Sequence, residues 1–83
     1  MHIHIKICGF TEPVGLQAAL DAGVDSIGLV LDPSPRQLTI DQAVALAKHI
    51  PEGVDVVAVC GRPSVDEVST IAECLSPTFI QLM

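Results

Sequence analysis

The sequence contains very few aromatic and basic residues. Of its 83 residues, two are Phe and none is Trp or Tyr, while Lys and Arg number four against ten Asp and Glu, which gives a formal net charge of −6. Nucleic-acid binding needs a basic surface and often uses stacked rings, so this composition excludes a nucleic-acid partner. The acidic balance is typical of an ordinary cytosolic surface.

Long apolar runs and paired cysteines are also missing. No stretch has the roughly 18 consecutive apolar residues of a membrane span, and the N-terminal residues alternate instead of forming the apolar core of a signal peptide. The three cysteines, Cys8, Cys60 and Cys74, form no C-x-x-C pair. An odd number of cysteines without a signal indicates reduced thiols. We therefore expect a cytoplasmic protein with no membrane partner.

Four similar units follow one another along the chain, each with a short β-branched run, a turn and a helical pattern. Strands are predicted at 3–8, 26–31 and 55–60, and a fourth begins at 79. Thr11 is the predicted N-cap of the first helix. Capping boxes at Thr39-x-x-Gln42 and Ser64-x-x-Glu67 open the second and third helices, and the second helix is expected to include Ile50.

This alternation of strand and helix predicts a parallel sheet with right-handed crossovers. An open doubly wound sheet and a barrel are the two candidate architectures. No G-x-G-x-x-G follows the first strand, which weakens a dinucleotide-binding interpretation. The short, regular units favour the α/β class and, within it, a parallel (βα)4 half of a TIM (βα)8-barrel, formed by residues 1–83 as one domain.

A half-barrel has two open edges, and unpaired edges recruit other strands. Hydrophobic residues make up 49% of the chain, and the chain stops at Met83, in or just after the fourth strand. Truncation is the simpler interpretation. The alternative is a non-catalytic half-barrel that forms a homodimer or pairs with a complementary half.

Cys8 is the first candidate for chemistry, because active sites of parallel barrels form where the strands end. It shares a strand face with Lys6 and His4, whereas Ile3, Ile5 and Ile7 are expected to face the helices. A neighbouring cation favours a thiolate, which can act as a base or a nucleophile. The alternative is that Cys8 is a small buried hydrophobic residue.

The loop after the second strand contains the next candidates. Arg36 follows two prolines, and a guanidinium held at a barrel mouth is suited to a carboxylate or phosphate; an exposed surface arginine is the alternative. Asp32 is either an acid–base group or a turn residue. His2 and His4 form an H-x-H pair, but it lies at the wrong end of the strand for a metal-dependent hydrolase, so solvated or packed histidines are the better interpretation.

Three segments together resemble phosphoribosylanthranilate isomerase, a (βα)8-barrel family of tryptophan biosynthesis. They are Ile-Lys-Ile-Cys-Gly-Phe-Thr at 5–11, Ser-Pro-Arg at 34–36 and Ile-Gln-Leu at 80–82. The residues at 22–28 also resemble the family's entry to the second strand. The resemblance therefore extends over the whole chain and implies that it holds strands one to four of the barrel.

The resemblance also implies an activity and roles for three residues. The family converts N-(5'-phosphoribosyl)anthranilate, by an Amadori rearrangement, to 1-(2-carboxyphenylamino)-1-deoxyribulose 5-phosphate. By resemblance, Cys8 is the base, Arg36 lies near the anthranilate carboxylate and Gln81 is a substrate contact. The catalytic acid, an aspartate, and the phosphate site belong to the second half of the barrel, so the 83 residues alone are expected to be inactive. No metal or organic cofactor is implied.

The chain departs from the family pattern at three places. Cys60 stands where a bulky apolar residue is usual, and Gly61-Arg62 replaces a Val-Asn-like pair. Met83 stands where a histidine followed by glycine is typical. The last departure affects the contribution of the fourth strand to the site.

Overall fold

The computed structural model describes residues 3–33 and 35–82, which form one parallel sheet with helices between its strands. His2 of the histidine pair, Ser34 of Ser-Pro-Arg and Met83 lie outside the described residues. The elements in chain order are β1 (Lys6–Cys8), α1 (Pro13–Asp21), β2 (Ser26–Val30), α2 (Ile40–Ala47), β3 (Asp55–Cys60), α3 (Val65–Cys74) and β4 (Phe79–Leu82).

The strands lie side by side in the order β1-β2-β3-β4, and every pair is parallel. Sequential order with a helix between each two strands is the arrangement of a barrel segment, whereas a doubly wound sheet reverses its strand order. The predicted parallel (βα)4 half-barrel is therefore confirmed.

The core lies between the sheet and the helices. Ile27, Leu29 and Ala58 are fully buried on the helix-facing side of β2 and β3, and the near-continuous apolar character of these strands suits a sheet covered by helices. The helices contribute Leu16, Ala19, Ala43, Leu46 and Ile71 to the same cluster. This layer holds the strands in place and leaves the opposite, concave face of the sheet for other roles.

The two predicted capping boxes are confirmed, and the predicted first cap is wrong. Thr39 and Ser64 each accept a hydrogen bond from the backbone N–H three residues on, at 3.1 Å in both cases. The N-cap of α1 is Glu12, without a side-chain cap bond, and not Thr11. Pro13 occupies the first turn, where its missing N–H costs nothing, and it holds the preceding residue extended, so the helix has to begin there.

Several predicted boundaries were too generous. Strand β2 ends at Val30 and not at Leu31. Strand β1 begins at Lys6 and not at Ile3, because it is an outer strand that pairs only with β2. Helix α2 ends at Ala47. The N–H groups of His49 and Ile50 bond three residues back, to Leu46 and Ala47, which tightens the last turn before Pro51. A residue before proline disfavours the α-helical region, so Ile50 is not helical.

Large apolar side chains are exposed on both outer strands and on the segment that precedes β1. Ile3, Ile5 and Ile7 are 73%, 48% and 41% exposed, and Phe79 and Leu82 on β4 are 59% and 65% exposed. Ile7 is paired in register with Ile27 of the helix-side core, so it lies on the predicted face of the sheet. The three isoleucines are nevertheless exposed, and the helices of the described residues do not bury them. No helix in the described part of the chain is long and apolar enough to cross a bilayer.

Candidate active site

Four strand ends and the loops that follow them meet at one edge of the sheet. Because all pairs are parallel, Cys8, Val30, Cys60 and Leu82 end their strands at this same edge. Active sites of parallel barrels are built at this edge, from the strand ends and the loops between strand and helix. The candidate residues are therefore considered there.

Cys8 lies on the concave face of the sheet. It is paired in register with Gly28, and a Cβ added to Gly28 would overlap the Cys8 side chain. The two positions therefore point to the same side, away from Ile27 and Leu29, which face the helices. Gly28 leaves room for the thiol, and Cys8 is exposed. The interpretation of Cys8 as a buried packing residue is wrong.

Arg36 lies over the residue that follows Cys8. Gly9 has φ +94°, a conformation that side chains rarely adopt, and a Cβ built on it would stand only 2.7 Å from Cδ of Arg36. Glycine is thus required here twice, by the backbone and by the arginine. Cys8, Gly9, Val30, Pro35 and Arg36 together line a cavity of about 320 Å³, which we call the Cys8–Arg36 groove.

Gln81 is hydrogen-bonded to Lys6, the cation that the sequence analysis placed beside Cys8. Nζ of Lys6 donates a hydrogen bond to Oε1 of Gln81, although these residues lie on the two outer strands. Such a contact requires the sheet to curl so that β1 and β4 approach across the concave face. Gln81 does not line the Cys8–Arg36 groove. The structure therefore brings together Cys8 and Arg36, and places Gln81 beside Lys6.

A second contact at this edge joins two neighbouring loops. Oδ1 of Asp32 accepts a hydrogen bond from the backbone N–H of Gly61, directly after β3. Asp32 lines a cavity of about 380 Å³ with Gln37, Cys60, Arg62 and other residues, which we call the Cys60 pocket. Neither the Lys6–Gln81 bond nor the Asp32–Gly61 bond was predicted from the sequence, because the first depends on how the sheet curves and the second on how two loops meet. The one sequence signal for the second bond was the glycine at 61, where a valine-like residue is usual.

Cys60 differs from Cys8 in its surroundings. It is 3% exposed and belongs to the helix-side core. Burial raises the pKa of the Cys60 thiol, and the negative charges of Asp32 and Glu67 raise this pKa further. The thiol is therefore held in its protonated form, which is neither a base nor a nucleophile at neutral pH.

The remaining polar candidate has a structural partner. Nε2 of His4 lies 2.6 Å from Oγ of Ser26, which is itself buried. Within residues 3–33 and 35–82, no three His, Cys, Asp or Glu side chains converge as a metal site would require. His4 is thus accounted for by its hydrogen bond to the neighbouring strand.

Comparison with curated proteins gives a consistent result. The chain is 42% identical over 83 residues to the N-(5'-phosphoribosyl)anthranilate isomerase of Acinetobacter calcoaceticus, and 40% identical over 78 residues to that of Listeria monocytogenes. The chain is therefore similar, over nearly its whole length, to phosphoribosylanthranilate isomerases. These alignments cover 99% and 94% of the chain but only 39% of each relative. None of the protein-family models that were searched matches the chain.

Solved phosphoribosylanthranilate isomerases share the fold. TrpF from Jonesia denitrificans is 34% identical with a TM-score of 0.91, and the match covers 98% of this chain and 40% of that one. An isomerase crystallised with reduced 1-(o-carboxyphenylamino)-1-deoxyribulose 5-phosphate has a TM-score of 0.92, covers 98% of this chain and 42% of its own, and at 24% identity shows the fold alone. The predicted resemblance is confirmed, and the chain spans about two fifths of the isomerases that it matches.

Proposed function

We propose that these residues supply the first half of a phosphoribosylanthranilate isomerase barrel, with Cys8 as the general base. The observation that carries this proposal is the Cys8–Arg36 groove, in which a thiol and a guanidinium line one cavity at the strand ends. Removal of a proton from the second carbon of the sugar needs a base beside the substrate. A guanidinium in the same groove suits the anthranilate carboxylate, which it can hold by two parallel hydrogen bonds.

The proposed chemistry divides between the two halves of the barrel. An acid protonates the ring oxygen as the ribose opens, and the Cys8 thiolate takes the proton from the second carbon, which leads to the aminoketose product. The acid and the phosphate site are assigned to strands beyond the fourth, since phosphate sites of such barrels are frequently formed by the last loops. Residues 1–83 on their own are therefore expected to bind and convert no substrate at a measurable rate.

Gln81 enters the proposal as a contact of the substrate in the complete barrel. Gln81 accepts a hydrogen bond from Lys6 on the concave face. Lys6 lies two residues before Cys8 on β1. Movement of Lys6 would therefore disturb both the Gln81 amide and the strand that carries the thiol. We assign the chain to the cytoplasm on the basis of its free cysteines, Cys8, Cys60 and Cys74.

A chimeric barrel tests the proposal. Residues 1–83 replace the matching N-terminal segment of TrpF from Jonesia denitrificans, and isomerase turnover is measured for this chimeric barrel and for residues 1–83 alone. We expect turnover from the chimeric barrel and none from residues 1–83. A folded chimeric barrel without turnover, or an active 83-residue chain, would contradict the proposed roles.

A second candidate is association of half-barrels without catalysis. The exposed isoleucines of the N-terminal strand region and Phe79 and Leu82 of β4 favour it, because apolar outer strands recruit partners. A relative from Thermotoga maritima is itself described as dimeric. Analytical ultracentrifugation distinguishes the two: a folded, inactive dimer of residues 1–83 supports association, and an aggregated or unfolded chain supports a need for the rest of the barrel.

A further inference from the structure

The loop that carries Arg36 is tied to the neighbouring strand end at its first polar residue. The Asp32 carboxylate accepts the backbone N–H of Gly61, which directly follows β3. This bond joins the loop after β2 to the loop after β3. The carboxylate lines the Cys60 pocket and not the Cys8–Arg36 groove, so Asp32 is placed as an anchor and not as an acid–base group of that groove.

Gly61 is the complement of this carboxylate. A Cβ added to Gly61 would lie 2.6 Å and 2.9 Å from the two carboxylate oxygens of Asp32. The positive-φ glycines of the described chain are Gly9, Gly23 and Gly53, so the backbone at Gly61 would accept a side chain. A side chain at position 61 would therefore have to displace the Asp32 carboxylate from its place beside the Gly61 N–H.

The other end of the same loop is held as well. The N–H of Leu38 donates to the carbonyl of Val30 at 2.8 Å, and Pro33 and Pro35 restrict the backbone in between. Arg36 lies within this short, doubly held segment, with its Cδ against Gly9. The Asp32 carboxylate and the Arg36 side chain thus belong to one short loop that is held at both ends.

We propose that Asp32 is a positioning residue that acts through Arg36. Locked on Gly61, it fixes the loop so that the guanidinium stays over Gly9, on the wall of the Cys8–Arg36 groove. This inference rests on the proposed function, because it assigns Arg36 to the carboxylate of the substrate. Gly61, which stands where a valine-like residue is usual, then leaves the space that the Asp32 carboxylate needs to hold the loop.

Kinetics of the chimeric barrel test the route through Arg36. Loss of a hydrogen bond to a charged group corresponds to about a tenfold effect or more, so Asp32→Ala should raise KM about tenfold and change kcat less than about threefold. Asp32→Asn keeps an acceptor oxygen and should restore most of the KM. In an Arg36→Ala background, Asp32→Ala should change KM no further.

A second pair of variants tests the contact between Asp32 and Gly61 itself. Gly61→Ala should raise KM about as much as Asp32→Ala, because the new methyl group displaces the carboxylate. The double variant Asp32→Ala/Gly61→Ala should be no worse than Asp32→Ala alone, since the obstacle has gone. An unchanged KM in Asp32→Ala, or the same rise in the Arg36→Ala background, would overturn the proposal.

A spectroscopic readout separates this proposal from the proposed function. If the folded chimeric barrel has no turnover, the proposed function fails, and NMR relaxation of the Arg36 Nε–H group decides the positioning role. The order parameter should fall in Asp32→Ala and be retained in Asp32→Asn. An order parameter that is the same in all three proteins would show that Asp32 does not hold Arg36.

Discussion

Cys8 and Cys60 end two strands of the same sheet, at the same edge, and yet have opposite environments. Cys8 is exposed on the concave face and lines the groove with Arg36. Cys60 is 3% exposed among the helix-facing side chains, and its pKa is raised by burial and by Asp32 and Glu67. The comparison teaches that the face of the strand, and not the distance to the strand end, decides which thiol is available.

The same division extends over both faces of the sheet. On the helix side, Ile27, Leu29 and Ala58 are completely buried. On the concave side, Gly28 makes room for Cys8, and Lys6 bonds to Gln81. Val57 and Val59 are also buried on the concave face, so that face contributes to stability as well. The proposed chemistry is assigned to its strand ends, and the predictions below test that assignment.

The largest expected effect is on turnover. In the chimeric barrel, Cys8→Ala should lower kcat at least about a hundredfold, as loss of a general base typically does, while the free energy of unfolding changes little because the side chain is exposed. The matched control, Cys60→Ala, should keep kcat within about threefold and lower stability instead. Equal turnover in Cys8→Ala and the parent would remove Cys8 from the mechanism.

The next effect is on stability, at two adjacent residues of β2. Leu29 is completely buried, whereas Val30 is half-buried on the groove wall. Leu29→Ala should lower the free energy of unfolding of the chimeric barrel by about 2–5 kcal/mol, since it leaves a cavity. Val30→Ala should cost clearly less. Urea unfolding followed by circular dichroism measures both, and a larger loss in Val30→Ala would contradict the assignment of faces.

The smallest effect is a pH dependence. Because the folded pKa of Cys60 is raised above its ordinary value of 9.0, the unfolded chain loses this proton first as pH rises. The contribution of Cys60 is therefore complete below about 9 and declines above it, with a slope of at most about 1.4 kcal/mol per pH unit.

The control for this pH effect is the chimeric barrel with Cys60→Ala. Urea unfolding of both proteins from pH 7 to 10 should show the parent losing more stability than the variant at alkaline pH. Parallel curves would mean that the Cys60 thiol is not held protonated by the fold.

Much of the fold was predictable because its determinants are local. The two capping boxes and the apolar runs at 26–31 and 55–60 lie within a few residues of each other, and β3 was found with its observed bounds. The predicted cap at Thr11 failed because Pro13 requires the helix to begin one residue later than its polar neighbour suggested. The residues from Lys48 to Ile50 were assigned to α2 because the helical spacing of apolar residues continues to Ile50. Pro51 disfavours a helical conformation at the residue before it, so the helix ends earlier.

The candidate site was predictable only in part. Alternation along β1 places Cys8 opposite the core, and the loop after β2 brings Arg36 to it, so these two residues could be named from the sequence. The Lys6–Gln81 bond depends on the curvature of the whole sheet, and the Asp32–Gly61 bond on the meeting of two loops. Neither the curvature of the sheet nor the meeting of the two loops can be predicted from the spacing of nearby residues, so both contacts are visible only in the structure.

Mass-spectrometric mapping of thiol alkylation tests the central claim most directly. On the folded chimeric barrel with its native cysteines at 8, 60 and 74, a brief exposure to iodoacetamide should label Cys8 and leave Cys60 unmodified. Reduced 1-(o-carboxyphenylamino)-1-deoxyribulose 5-phosphate should protect Cys8 and have no effect on Cys74. Labelling of Cys60 as fast as Cys8, or a Cys8 that the ligand does not protect, would contradict a substrate groove built on the concave face.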